Sequence, residues 1–410
     1  MRDKRSTVSP GGHAGGSSRR KFLTSVAIGI PGLALASASP ADSAPVTQDK
    51  KPPLRTVPVV DCTDLYHPHQ DVGDNFDVIA PYAMPEVDLR AVILDVTDRF
   101  RQAFANHPNP DFRDPTGPRD PGFIPVLQLN YLFGRSVPCG VTPFQAMRSP
   151  GDKMLDAPPF QQQGVELLLG TLRESREKVE VLLFGSARAA AVAYNRYPDL
   201  LRAKVGRVHL CAGASSPDFL EWNVMLDQHA FVCLLRSDLP VAIYPCATKD
   251  GPFAYGPHNC FWRLPDLKFI ARMDPRLQAY LAFAFTRSTR MDFLRAVEQA
   301  PPAEVLKTFV GRPHNVWETC VWAQVAGRRI VRRADGSCRL TAASAVLPGD
   351  KVLPNELRPC RVKVRDDGMF AFELCDGPTN FLIYDRGDPY ENEKTLREAL
   401  PALYTGFRLP

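Results

Sequence analysis

Residues Val179–Gly213 read VEVLLFGSARAAAVAYNRYPDLLRAKVGRVHLCAG. Val179–Phe184 is an apolar run of strand length. Gly185-Ser186 is a small-residue turn that leaves a helix N-terminus open. Arg188–Ala203 reads as a helix whose end falls near Tyr197-Pro198, because proline cannot continue an α-helix. Val208–Cys211 is a second strand, running into Ala212-Gly213. A strand, a helix and another strand in close succession form the unit from which parallel sheets are built.

The same alternation extends in both directions. Strands are expected at Val57–Val60, Leu89–Leu94, Ile124–Leu129, Val179–Phe184, Val208–Cys211 and Val241–Tyr244. Gln163–Arg176 is an amphipathic helix with Val165, Leu168, Leu169 and Leu172 on one face. Asp227–Leu235 is a helix before the sixth strand. The pattern predicts an α/β fold: an open, mostly parallel, Rossmann-like sheet with helices on both faces. Ligands of such sheets bind at the carboxyl ends of the strands. From Gly327 the character changes. Arg361–Val364 and Met369–Leu374 flank Asp367-Gly368, a hairpin signature. Glu391–Leu403 reads as a last helix that Pro401 should end or kink. This is a small C-terminal hairpin and helix extension.

The first strand runs into Val59–Asp77, VVDCTDLYHPHQDVGDNFD, with five aspartates and two histidines. Asp61 and Asp64 end the strand, a loop carries His67, His69 and Asp71, and Asp74 and Asp77 sit one helical turn apart. Carboxylates gathered in this way repel unless a cation or a proton holds them, and hard divalent cations take 6–8 oxygen ligands. The structural alternative is a solvated acidic loop with Asp74 as a helix N-cap. His107–Gly122, with five prolines, is a long loop of the kind that walls a site or is a plain surface insertion.

The chain has 410 residues, 44% hydrophobic and 23% charged, with 39 prolines. Its net charge of +5 comes from the first 38 residues, where six basic side chains face Asp3. The remainder is neutral overall, so there is no global electrostatic basis for a nucleic-acid partner. Ser18-Arg19-Arg20-Lys21-Phe22-Leu23, the apolar run Val26–Leu35 and Ala36-Ser37-Ala38 resemble a twin-arginine export signal. The expected organisation is a signal peptide over 1–38, a Pro-rich linker over 39–56 and one domain over 57–410, with 327–410 its C-terminal strands and helix. The mature protein is expected to be periplasmic or secreted, without a membrane anchor once the signal is cleaved. The ten cysteines include no CxxC pair, which argues against a zinc ribbon. Those in apolar runs, such as Cys233 in AFVCLL, are expected as buried thiols, and one or two disulfides among the later ones are compatible with export.

Glu221-Trp222-Asn223 precedes Asp227-Gln228-His229-Ala230. Glu221 and Asn223 point the same way from an extended segment. A carboxylate beside an amide suits the vicinal hydroxyls of a sugar, although each is also an ordinary loop residue.

Together, these segments resemble the inosine–uridine-type nucleoside hydrolases. That family opens with an Asp-x-Asp-Pro-Gly-x-Asp-Asp-like motif, matched here by Asp61, Asp64 and Gly73-Asp74-Asn75. Its Gly-Pro-Leu-Thr-Asn-like turn and "rkyP" helix end correspond to Gly185–Ala189 and Arg196-Tyr197-Pro198. Cys211-Ala212-Gly213 stands for its Met-Gly-Gly, Glu221-Trp222-Asn223 for its Glu-Phe-Asn, and His314-Asn315 for its late His-Asp pair. The order and spacing match over roughly residues 55–330.

The resemblance implies a metal-dependent hydrolase of N-glycosidic bonds in a small nucleoside or glycoside. The cation, Ca2+ in the family, would be held by Asp64, Asp71, Asp74, Asp77 and Asn315. Asp64 would also be the base, Glu221, Asn223 and Asp74 would hold the sugar, and His314 would protonate the leaving base. Dimers and tetramers in the family make a homo-oligomer the expectation. Some residues depart from the pattern. Asn75 and Asn315 replace two carboxylates, so ligand charge falls, Arg188 and Ala189 replace Thr and Asn, and His67 and His69 would shift preference toward a transition metal. These departures leave open a non-catalytic sugar- or nucleoside-binding protein on the same fold. A third reading is a carboxylate/His hydrolase of another substrate, such as a phosphoester.

Overall fold

The strand expected at Val57 runs as β1 (Val57–Thr63) and lies inside a nine-stranded sheet. The computed structural model describes residues 56–67, 72–97 and 120–410. The expected leader, His69, Asp71 and most of the His107–Gly122 loop lie outside the described residues. The other strands are β2 (Val87–Leu94), β3 (Cys139–Val141), β4 (Val179–Phe184), β5 (Val205–Leu210), β6 (Val241–Ile243), β7 (Trp262–Leu264) and β8 (His314–Val316). They are followed by β9 (Arg328–Arg332), β10 (Cys338–Ala342), β11 (Lys351–Leu353), β12 (Glu356–Val364), β13 (Phe370–Leu374) and β14 (Phe381–Asp385).

The main sheet has the order β13-β12-β14-β6-β5-β4-β1-β2-β3. It is parallel from β14 to β3, and β12 pairs antiparallel with both its neighbours. The open, mostly parallel α/β sheet expected from the alternation is therefore what the chain forms. From β1 it winds outward to β2 and β3, then returns to the other side of β1 for β4, β5 and β6. The reversal falls between β1 and β4, where open sheets of this kind place their ligands.

Both faces are covered, which is why the central strands read as continuous apolar runs rather than alternating ones. Val60 and Cys62 face one layer, which contains helices Pro159–Glu174, Arg188–Arg196 and Gln228–Leu235. Val59 faces the other, with Phe76, Leu277, Trp322 and Leu396. Helix Pro159–Glu174 buries Val165, Leu168, Leu169 and Leu172. Gly164 lets it touch the sheet, since a Cβ there would come within 2.8 Å of the Val141 backbone. Pro198 divides the expected Arg188–Ala203 helix into Arg188–Arg196 and Pro198–Lys204, ending one and opening the next.

Ile124–Leu129 is not a strand but lies within helix Phe123–Phe133. The Asp120 carboxylate accepts from the Gly122 and Ile124 amides at 3.0 and 2.7 Å and so organises the first turn. A short apolar run does not by itself distinguish strand from buried helix, and here the run continues to helix length. The expected hairpin forms between β12 and β13, with Gly368 at φ +82° in its turn. The last helix, Pro389–Tyr404, keeps Pro401 inside it. Tyr404 stacks on Phe76 at 4.2 Å, and its hydroxyl donates to the Phe76 carbonyl at 3.1 Å. No helix among the described residues is long and apolar enough to cross a membrane.

The loops at the carboxyl edge are tied together by Arg188, whose side chain is fully buried. Its Nε donates to Asp227 at 2.7 Å. Its other nitrogens reach the carbonyls of Val96, Pro143 and Leu226 at 3.1, 2.7 and 3.4 Å. Asp227 in turn accepts from the Met147 amide and caps helix Gln228–Leu235 through the Ala230 amide. Beside it, the Asp95 carboxylate accepts from the Ser186 amide and hydroxyl at 2.5 and 2.9 Å. Only glycine fits at 185, because a Cβ there would meet Asp95 at 2.5 Å.

Removing one partner of a buried pair leaves an uncompensated charge, which costs about 3–5 kcal/mol. Arg188→Met should lower unfolding free energy in urea by about that amount, and adding Asp227→Leu should recover part of it. A loss below about 1 kcal/mol for Arg188→Met would contradict this role.

Candidate functional site

Asp61 lies two residues before the end of β1, level with Val92 of β2 and Leu182 of β4. With neighbours on both sides and helices above, it is 1% exposed. Side-chain alternation puts it on the face of Val59. The short helix Val72–Asp77 passes over that face. It presents Asp74 and Asp77 three residues apart and therefore on one side. Glu318 arrives from the other end of the fold, where β8 leads into helix Thr319–Val325. The Thr319 hydroxyl donates to Asp77 at 2.8 Å.

The result is a buried group of four carboxylates. Burial raises the Asp61 carboxyl well above the usual range, and the charges of Asp74 and Asp77 raise it further. Glu318 is raised well above its ordinary value by burial, then by Asp74, Asp77 and Asp61. Glu318 also shares a hydrogen bond with Asp74. Two carboxylates can share one only if one of them carries a proton and donates it. Asp61 Oδ1 is buried with no hydrogen-bond partner among the described residues. A proton or a cation can relieve such a group. The donors are all hard oxygens and the orphaned Oδ1 is a vacant acceptor, which is the donor chemistry that a divalent cation of the Ca2+ or Mg2+ type takes.

The residues singled out in the sequence fall in different places. Asp74 and Asp77 join the group, and Asp61 is its most buried member. Asp64 stands three residues past Asp61, beyond the strand and partly exposed. Asp71 lies outside the described residues. Asn315 is engaged on the neighbouring strand. It pairs with Arg263 across β7–β8, and its side-chain oxygen accepts from Arg263 Nε at 3.0 Å. Strand alternation turns His314 and Val316 inward and Asn315 out. Asn75 is buried elsewhere on its helix and accepts from the Tyr280 hydroxyl at 3.3 Å.

Glu221 and Asn223 are engaged by their own backbone. Glu221 caps helix Trp222–Leu226 and accepts from the amides of Gly213, Asn223 and Val224 at 2.8, 3.0 and 3.3 Å. Burial pushes its carboxyl up to about 7 despite those bonds. Asn223 Nδ2 donates to the Cys211 carbonyl at 2.9 Å. His314 packs edge-on against Phe76 and Phe285 at 5.4 and 5.7 Å. Burial lowers its pKa to about 4, so at neutral pH the ring is uncharged and is a poor acid for a leaving group. His67 Nε2 donates to the Ser288 carbonyl at 2.5 Å and the ring stacks on Phe283 at 4.7 Å. That engagement suits a packed loop better than a metal ligand.

Glu318, Thr319, Asp95 and Arg188 were not singled out for these roles. A signal for Glu318 existed: an acid directly after a short strand and at the start of an apolar helix. The His-Asp pairing pattern directed attention to Asn315 instead. Arg188 read only as a departure from a motif, and nothing in its neighbours pointed to Asp227, 39 residues away.

No protein-family model matches this chain, and no curated protein matches it. Among solved structures, it is similar to a plant nucleoside hydrolase, the PpNRh1 enzyme, with 14% identity, 85% of this chain and 100% of that one covered, and a TM-score of 0.48. A purine-preferring ribonucleoside hydrolase from Gardnerella vaginalis gives 13% identity, coverage of 85% and 99%, and a TM-score of 0.48. An inosine–uridine preferring nucleoside hydrolase from Bacillus anthracis gives 12%, 84% and 99%, and 0.40. At these identities and TM-scores the similarities carry no weight in assigning an activity.

Asp61, Glu318 and Glu221 all have folded pKa values above their unfolded ones. Between the two values the folded chain binds more protons than the unfolded chain, so stability falls as pH rises. For Glu221 that window runs from the ordinary glutamate value to about 7. Without divalent cations, the melting temperature should be higher near pH ~5 than near pH ~7.5, and Ca2+ should restore it at the higher pH. Glu221→Gln should reduce the slope of unfolding free energy against pH by about one proton across the window. A melting temperature that climbs with pH in chelator would contradict the buried-acid assignment.

Proposed function

We propose that this protein hydrolyses an N-glycosidic bond of a small nucleoside-like substrate at the Asp61–Asp74–Asp77–Glu318 group, with a divalent cation bound there. The observation that carries the reading is the convergence of four carboxylates, one with an orphaned oxygen, beside the point where the sheet reverses its winding. The ordered resemblance to nucleoside hydrolases in the sequence supports the substrate class.

Breaking an N-glycosidic bond builds positive charge on the sugar ring, and fixed carboxylates facing the ring stabilise it. The cation, when bound, acidifies a water and polarises sugar hydroxyls. Asp61, Asp77 and Glu318, the most buried of the four, would hold it. Asp74, less buried than these, faces the cation and the sugar. Asp64, partly exposed beyond the strand, takes the proton from the attacking water. His314 stays neutral in its aromatic surround and shapes the wall.

A second reading, a cation-stabilised binding protein without turnover, is favoured by one observation. Glu221 and Asn223, expected to hold the sugar, are satisfied by the chain's own backbone. Turnover decides between the two. Ribose release from a nucleoside panel, abolished by EDTA and restored by Ca2+, is expected for the hydrolase. Asp64→Ala should lower kcat by about 10²–10⁴-fold, as for loss of a general base. Ligand binding without product would leave the second reading standing. We also propose export through the N-terminal Arg19-Arg20 signal. Replacing both arginines with lysine should retain the protein inside the cell on fractionation, and unchanged export would refute it.

A further inference from the structure

Ten cysteines without a CxxC pair gave no metal signature in the sequence, and all ten are free thiols in the structure. Three of the buried ones come together all the same, with a fourth beside them. Cys211 ends β5, Cys246 follows β6, Cys260 lies in the loop before β7, and Cys320 is on helix Thr319–Val325. Cys211 Sγ lies 3.5 Å from Cys246 Sγ and 3.7 Å from Cys260 Sγ. All three sulfurs lie within 4.8 Å of one another. Cys260 also interacts with Cys320. Exposures are 1% for Cys211, 5% for Cys246, 1% for Cys260 and 1% for Cys320.

We propose that Cys211, Cys246 and Cys260 form a structural site for one thiophilic d¹⁰ cation, Zn2+ or Cu+, and that Cys320, outside the three-sulfur group but beside Cys260, leaves the Trp317 carbonyl to close the tetrahedron when the cation binds. The spacing fits. A tetrahedral zinc with Zn–S near 2.3 Å has sulfur–sulfur edges of about 3.8 Å. Soft thiolates select Zn2+ or Cu+ over the hard cations that suit carboxylates. Binding displaces each thiol proton to solvent and leaves a sulfur–metal bond, without oxidation or reduction. The surround is built for a fixed group. Cys246 and Cys260 both point at the Tyr244 carbonyl, at 3.8 and 3.7 Å. The Cys246 carbonyl accepts from Trp317 Nε1 at 3.0 Å. Asn355 is bonded by the Tyr384 hydroxyl at 2.8 Å and reaches the Cys320 carbonyl. The hydrogen bond with Cys246, and then burial, raises the Cys211 thiol well above its usual range. At Cys246 the bond with Cys211 lowers the thiol, but the bond with Cys260 and burial raise it more. Burial, then Cys211, raises Cys260, and a bound cation would offset these penalties. The four residues come from chain segments up to 109 positions apart, so the cation would join β5, β6 and the helix that begins after Glu318.

The proposal is independent of the hydrolase reading, because the two sites use different donors. The full chain is purified under reducing conditions, and its metals are measured by mass spectrometry after growth with added zinc and, separately, with added copper. One zinc or one copper per chain is expected, retained through gel filtration, and the two growths show which. Cys246→Ala and Cys260→Ala should each lower the content about tenfold or more, while Cys375→Ala, a thiol outside the cluster, should leave it unchanged. If the cysteine variants do not fold, the wild-type chain stripped and reloaded with Co2+ should show a thiolate-to-cobalt charge-transfer band. Its buried thiols should also react with a thiol reagent faster after stripping. Metal-free protein with all thiols reduced and no cobalt band would overturn the proposal in favour of packed thiols. A disulfide between any two of the four would overturn it as well.

Discussion

A single guanidinium, that of Arg188, is the interaction on which the carboxyl edge of the sheet depends. It is held without solvent between Asp227 and three carbonyls, and those partners belong to the segments that leave β2, β3 and helix Trp222–Leu226. Its own helix begins just after β4. One buried cation thus fixes the exits of neighbouring strands relative to each other. Such a pair contributes little net stability compared with apolar packing, but breaking it is costly. That asymmetry favours one arrangement of the loops, and the acids of Asp61 and Asp95 are positioned within it.

Two polar clusters of the interior, the carboxylates and the thiols, are sorted by hardness. Both lie on the face of Val59, and helix Thr319–Val325 connects them. Glu318 and Thr319 turn toward Asp74 and Asp77, while Cys320, one residue further, turns toward Cys260. Oxygen donors therefore collect on one side of a single helix start and sulfur donors on the other. A cation in either place would hold that start in position for the other, so the two neighbourhoods share a mechanical element although they share no donor.

The sheet was legible because its central strands are apolar on both faces and bounded by glycine or proline. Val179–Phe184 was located to the residue, and β1, β2, β5 and β6 were located with shifted ends. Ile124–Leu129 failed because an apolar run carries no period of its own, and the deciding contact was the Asp120 side chain on the next turn. The site was legible where its residues are local. Asp74 and Asp77 are neighbours on one helix and read as such. Glu318 meets them only after more than 200 intervening residues have folded, and a family pattern pointed instead to Asn315. Glu221 and Asn223 showed the right side chains, but the sequence could not show that backbone amides would engage them first. The cysteines are the extreme case. Their spacing of tens of residues hides a distance of a few ångströms.

The stacking of Tyr404 on Phe76 joins the two ends of the described chain. The helix bearing Asp74 and Asp77 receives its cover from a residue 328 positions later. A ribosome releases the acids well before this cover. Until the final helix emerges, the carboxylates of the N-terminal segment remain in water, ionised and mutually repelled, and the first strand has no complete layer above it. The charged group is thus covered only once the helix that bears Tyr404 has been made and has packed against Phe76.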